Sequence, residues 1–234
     1  TITAVGHAPF TSGAVGNIYG LQASNAGALF DPAKRKYRVE ITGYTSSNAC
    51  SCTFTDAIPA ALQSNATPRW ALMSATLAGL DHLAGATVQV LADGAVHPDC
   101  VVASNGTITL SATASVVHAG LGYTSTLRTM KLEAGSDRGT SQTKCKAITE
   151  LSVRFLRTLG GKVGVVNDAG ADNLKPVYFR TQSDPMDAAP PMFTGDKSVS
   201  VPTGWTKDAR LVAVQDQPLP MTVLMMVPVV TANG

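Results

Sequence analysis

The chain has 234 residues, 15% of them charged, and a formal net charge of +2. An average soluble domain carries about 25% charged residues, so much of this surface is expected to be covered, by copies of the chain or by other proteins. The balance is too small to imply nucleic-acid binding by field alone. No apolar run approaches the roughly 20 residues of a membrane-spanning helix, and four cysteines are too few for a disulfide scaffold at this length.

Helical periodicity is nearly absent, whereas short alternating runs rich in Val, Thr, Ile and Tyr recur between turn signals. The chain therefore reads as all-β. Thr1 replaces an initiating Met, and no basic or apolar leader follows, which reads as a segment of something longer. Lys34-Arg35-Lys36 is the one basic run, expected to be a solvated loop. Tyr37, Val39 and Ile41 alternate with Arg38, Glu40 and Thr42, the pattern of a strand with one wet face. A second strand near Cys50 to Phe54 should pair with it, placing the Cys50 and Cys52 thiols on one face. Pro59 to Pro68 breaks the pattern and serves as a boundary.

Two hairpins are expected next. Asp93-Gly94 suits a type I′ turn after Val88, Val90 and Ala92. Asn105-Gly106 should reverse the chain with Val102 opposite Thr109 and Ala103 opposite Ile108. Gly135 to Thr143 reads as an exposed loop without apolar anchors. Leu151, Val153 and Phe155 begin a third hairpin that should turn at Gly160-Gly161 and return through Lys162 to Val166. The Pro-rich stretch Asp184 to Pro191 is a linker or an edge. Leu211 to Val214 and Met221 to Val230 read as buried strands bounded by prolines.

Candidate chemistry is thin. His7, His82, His97 and His118 are the histidines, and no nucleophile elbow, phosphate loop, dinucleotide fingerprint or zinc helix is present. Cys50-Ser51-Cys52 offers two thiolates without a second ligand pair, so buried inert thiols are expected. His97-Pro98-Asp99-Cys100 could gather imidazole, carboxylate and thiol, but a strand end broken by Pro98 explains it better. Asp81-His82 reads as a turn tethered by the carboxylate. Asp81, Asp93, Glu133 and Glu150 supply carboxylates without a pairing that marks a glycosidase. Trp70 and Trp205 read as core or corner aromatics. No catalytic, cofactor-binding or metal-ligating residue is assigned, and no enzymatic activity or cofactor is expected.

The strings "GLDHLAGATVQVLADGAV" over 79–96, "NGTITL" over 105–110 and "ASVVHAGLGYTSTLRTMKLE" over 114–133 resemble a pattern of the tail tubular protein B, or tail nozzle, family of short-tailed bacteriophages and prophages. Phe193-Thr194-Gly195-Asp196 and Gln217-Pro218-Leu219-Pro220 are similar to later landmarks of that family. Gly122 stands where proline is usual, and Ala84 where glutamate is common. The resemblance implies a structural rather than enzymatic protein that forms rings with copies of itself and meets other tail and portal proteins. It further implies that DNA passes through without specific recognition, and that the protein sits in the virion tail after synthesis in the bacterial cytoplasm. The expected architecture is a small β-barrel-like module over 1–68 followed by a larger antiparallel β-sandwich or barrel over 69–234. A β-sandwich module that binds a receptor or glycan, presenting Trp205 or Tyr178, is the alternative.

Overall fold

Alternation in the sequence becomes strand after strand in a computed structural model that describes residues 1–4, 9–22, 36–55, 57, 69–133, 135–136, 139–166, 172–184 and 189–233. The chain gathers into two units, Thr1–Gly120 with Ser183–Ala189, and Leu121–Gln182 with Pro190–Gly234.

The first unit contains β1 (Ile2–Thr3), β2 (Ile18–Gln22), β3 (Lys36–Ser46), β4 (Ala49–Phe54), β5 (Arg69–Leu77), β6 (Thr87–Ala92), β7 (Ala95–Val101), β8 (Ile108–Ala114) and β9 (Val117–Gly120). One sheet runs β1-β4-β3-β2-β5-β8 and a second β7-β6-β9. Pairing of β5 with β2 carries the first sheet across position 68, where the sequence places a boundary. Tyr37, Val39 and Ile41 are buried as their alternation requires, and Val39 and Ile41 form one core with Phe10, Tyr19 and Cys50. Cys50 and Cys52 share that face. A second core joins Val88 and Val90 of β6 to Ile108 and Leu110 of β8, with Val102 between.

The Asp93-Gly94 turn is as expected: both residues have positive φ (48° and 85°), and Ala92 faces Ala95 across it. The Asn105-Gly106 register is not. Gly106 N–H bonds to the Ala103 carbonyl at 2.9 Å and Ala103 N–H to the Thr107 carbonyl at 2.8 Å, closing a loop over Ser104-Asn105-Gly106 instead of a two-residue turn. Val102 cannot pair with Thr109 because its backbone already exchanges bonds with Gly85 and Ala86, at 2.9 and 3.0 Å. Ile108 and Thr109 pair with Leu77 and Thr76 of β5. Pro98 does not end its strand either. β7 continues to Val101 with one extra residue between His97 and Cys100, a bulge that accommodates the missing N–H of proline.

The second unit contains β10 (Ser125–Arg128), β11 (Gly135–Ser136), β12 (Gly139–Thr140), β13 (Cys145–Thr158), β14 (Lys162–Val166), β15 (Asp172–Pro176), β16 (Phe193–Ser200), β17 (Arg210–Gln215) and β18 (Val223–Asn233). Its sheets run β10-β17-β14-β15, β16-β13-β18 and the short ladder β11-β12. The Gly135 to Thr143 stretch is thus partly paired, and Ser141 within it is buried. Residues from both larger sheets enter one core: Ile148, Leu151, Val153 and Phe155 of β13 with Val163, Val165, Leu211 and Ala213 of β14 and β17. Phe155 and Phe179 meet edge to face with centroids 5.4 Å apart. Val166, Val212 and Val214 form a smaller cluster with Leu174, so β14 and β17 are apolar on both faces, which explains their continuous Val runs.

β13 keeps its apolar face inward past a register shift between Ile148 and Glu150. Thr203, just after β16, holds the other edge at Ile148: its hydroxyl accepts from the Ile148 N–H at 2.9 Å and donates to the Ile148 carbonyl at 3.2 Å. The expected Gly160-Gly161 hairpin does not form. Both glycines have positive φ, but the reversal carries the chain from one sheet to another, since β13 pairs with β16 and β18 while β14 pairs with β15 and β17. Their apolar residues meet face to face across the core, not edge to edge. Lys146, only 1% exposed, is held by backbone bonds to Thr206 and a 3.3 Å bond from Nζ to the Lys207 carbonyl.

Among the described residues all sheets are antiparallel, and none closes into a barrel, because each retains unjoined edge strands such as β1 and β8 or β16 and β18. Among the described residues helix is confined to short 3-10 turns at Ser12–Ala14 and Asp81–Leu83. No described helix is long and apolar enough to cross a membrane. His7, Lys34 and Arg35, all of Pro59 to Pro68, and 185–188 within the Asp184 to Pro191 stretch lie outside the described residues.

Candidate functional site

The most unusual surface lies on β18. It is an edge strand paired only to β13 among the described strands, and no charged residue occurs from Val223 to Asn233. Edge strands are ordinarily protected by charge, proline or cover; here Pro228 is the single such device. Met225, Val227 and Val229 face Arg154, Ser152 and Glu150 of β13 across the ladder. The same three β13 residues face Asp196, Ser198 and Ser200 of β16 on the other side. The outward face of this sheet is therefore polar along β16 and β13 and apolar along β18. Met225, Val227 and Val229 remain 44%, 45% and 53% exposed, and the neighbouring Leu224 is 56% exposed. The expectation of a buried C-terminal strand is thus corrected: Met226 and Val223 pack on the core, but the alternate face does not.

The polar half is tied by side chains. Arg154 Nε and Nη2 donate to the two Asp196 oxygens at 2.7 and 2.8 Å, and Ser152 and Ser198 hydroxyls bond at 2.6 Å. The bidentate hydrogen bonds from Arg154 hold the Asp196 carboxyl below its usual range and raise the guanidinium above its own. A carboxylate with a lowered folded-state pKa stabilises the fold above its unfolded value and loses that effect as pH falls through the lowered one. In Arg154→Ala the Asp196 carboxyl is therefore expected to titrate at higher pH, followed by carboxyl NMR. Stability near neutral pH should change little, because both groups face water.

The residues with chemical potential cluster elsewhere, on β7 and β8. His97 is half buried; its Nδ1 lies 2.7 Å from the Pro98 carbonyl and its Nε2 2.8 Å from Ser111 Oγ. Ser111 N–H also donates to Nε2 at 2.9 Å. Cys100 Sγ is 3.7 Å from Nδ1 and donates to the Pro98 and Thr109 carbonyls. Burial first, and the nearby Asp99 charge second, push the Cys100 thiol upward, so it stays protonated. Of the sequence-based set His97, Asp99 and Cys100, the fold brings imidazole and thiol together. Ser111, fourteen residues further along, was invisible to spacing. Among the described residues no group of three His, Cys, Asp or Glu side chains could hold a metal.

Asp93 serves the hairpin: its carboxylate accepts from Ser115 N–H at 3.1 Å, Ser115 Oγ at 2.7 Å and Val116 N–H at 3.0 Å. Asp81 opens a 3-10 turn that is tethered by backbone, not by its carboxylate, through a 3.0 Å bond from Leu80 N–H to the Gly106 carbonyl. His82 on that turn is exposed. Trp70 and Trp205 are 51% and 53% exposed rather than core residues. Trp70 leans on buried Tyr19 at 5.6 Å, since Leu21 and Leu72 place both rings on one face of the sheet. Tyr178 is 77% exposed. Compared with known protein families and with curated proteins, the chain matches none.

Proposed function

We propose that this chain is a structural component of a bacteriophage or prophage tail, of the tubular or nozzle kind, in which copies form a ring through which DNA passes. The observation that carries the reading is the uncharged, solvent-facing apolar strand β18, whose Leu224, Met225, Val227 and Val229 stand on an edge. A surface of this kind favours association, and a ring of identical subunits covers one such face on every copy through a head-to-tail contact. The net charge of +2 is in keeping with a conduit, because a strongly basic lumen would bind phosphates and release counterions at each contact. A sandwich is the architecture this reading favours for the second unit, with its shared core as the sandwich interior.

The test is size in solution with electron microscopy. The chain is expected to give rings or higher oligomers, and Val227→Lys to weaken association by about 100-fold or more, since burying an unpaired ammonium costs several kcal/mol and each tenfold is about 1.4 kcal/mol. A monomer at every concentration, with Val227→Lys indistinguishable from it, would remove the proposal. The exposure of Trp205 and Tyr178 favours a second reading, a receptor- or glycan-binding module. Glycan binding lost in Trp205→Ala without unfolding would replace the ring by that module.

A further inference from the structure

We propose that Ser111 is a nucleophile activated by His97, able to take an acyl or phosphonyl group from small electrophiles with good leaving groups. The proton positions follow from the partners. The Pro98 carbonyl can only accept, so Nδ1 carries the ring hydrogen. Ser111 N–H can only donate, so Nε2 carries the lone pair. The Ser111 hydroxyl, 2.8 Å from Nε2, is therefore a second donor, sharing that one lone pair with the Ser111 N–H. This is the ground-state arrangement of a serine beside its general base, with a backbone carbonyl orienting the imidazole where a carboxylate often does so.

Three further features fit. Ser111 is exposed on β8, so an electrophile reaches it without entering a cleft. The bulge at Pro98-Asp99 fixes the carbonyl that holds Nδ1, so the base is positioned by the strand itself. The neighbouring Cys100 is held as a thiol and does not compete as a thiolate. In the reaction Ser111 Oγ bonds to the acyl carbon while its proton passes to His97 Nε2. The leaving group departs with the electron pair of its bond to that carbon and later takes the proton, regenerating neutral imidazole beside an acyl-serine. Aryl esters and fluorophosphonates suit an open surface because their leaving groups need no protonation to depart.

The full chain should be treated with p-nitrophenyl acetate and, separately, a fluorophosphonate, and the adduct mapped by mass spectrometry. Ser111 is expected to carry the group, Ser111→Ala to abolish it, and His97→Gln to slow it by about 100-fold, the lower range for a positioned base. Labelling of the unaltered chain should be slower in heavy water, a readout that needs no substitution if His97→Gln fails to fold. An unlabelled Ser111, equal rates in a folded His97→Gln chain, or no change in heavy water would overturn the proposal. None of these outcomes bears on ring assembly, which involves different strands.

Discussion

Gly164→Ala is expected to destabilise the second unit by at least about 3 kcal/mol, at the upper end of what overpacking costs. Gly164 sits mid-strand in β14, between Leu174 of β15 and Val212 of β17. A methyl group there would overlap the Asn173 carbonyl oxygen, lying 2.7 Å from its carbon and 3.0 Å from the Leu174 Cα. These are backbone atoms in a paired strand, so relief requires separating β15 from β14. A loss of this size lowers the melting temperature by about 6–12 °C for a chain of this length. Thermal unfolding followed by circular dichroism measures it, and a melting point unchanged within about 2 °C would contradict the packing described.

Gly106→Ala is expected to cost about 2–4 kcal/mol, combining left-handed strain with a collision. Gly106 has a φ of 67°, and an added Cβ would lie 2.5 Å from Asp81 Oδ1 and 2.7 Å from the Asp81 backbone nitrogen. The carboxylate could swing away, but the nitrogen belongs to the turn whose Leu80 N–H bonds to the Gly106 carbonyl. The damage should be local. Amide exchange is expected to accelerate at Leu80, Gly85 and Val102, whose N–H groups make the tether, while Val39 and Ile41 in the other core of the unit keep their protection. Uniform acceleration across the unit would mean that the tether and the sheets open together.

The same pair of loops explains what could be read in advance and what could not. The strands at Tyr37 to Thr42 and Cys50 to Phe54, and the Asp93-Gly94 turn, are governed by neighbours in sequence, and local pattern sufficed. Asn105-Gly106 carries an equally strong local signal, but Val102 is claimed by Gly85 and Ala86, and a tertiary bond overrode the turn preference. Gly160-Gly161 likewise announced a reversal without saying whether the chain would return within its sheet or cross to another. The exposure of β18 was hidden because apolar residues read alike whether a sheet covers them or not. His97 with Ser111, and Arg154 with Asp196, lie 14 and 42 positions apart, and their contact has no periodic trace.

The central place of β13 shapes how the chain acquires its structure. Cys145 pairs with Asn233 at one end of the ladder, and Phe155 with Val223 at the other, so the longest strand of the unit waits for β18 to be synthesised. Non-local pairings of this kind form slowly, and until then β13 presents bare hydrogen-bonding groups beside Leu151, Val153 and Phe155. A prematurely terminated product would expose that strand permanently and clump with its neighbours in the cell, a natural load for chaperones.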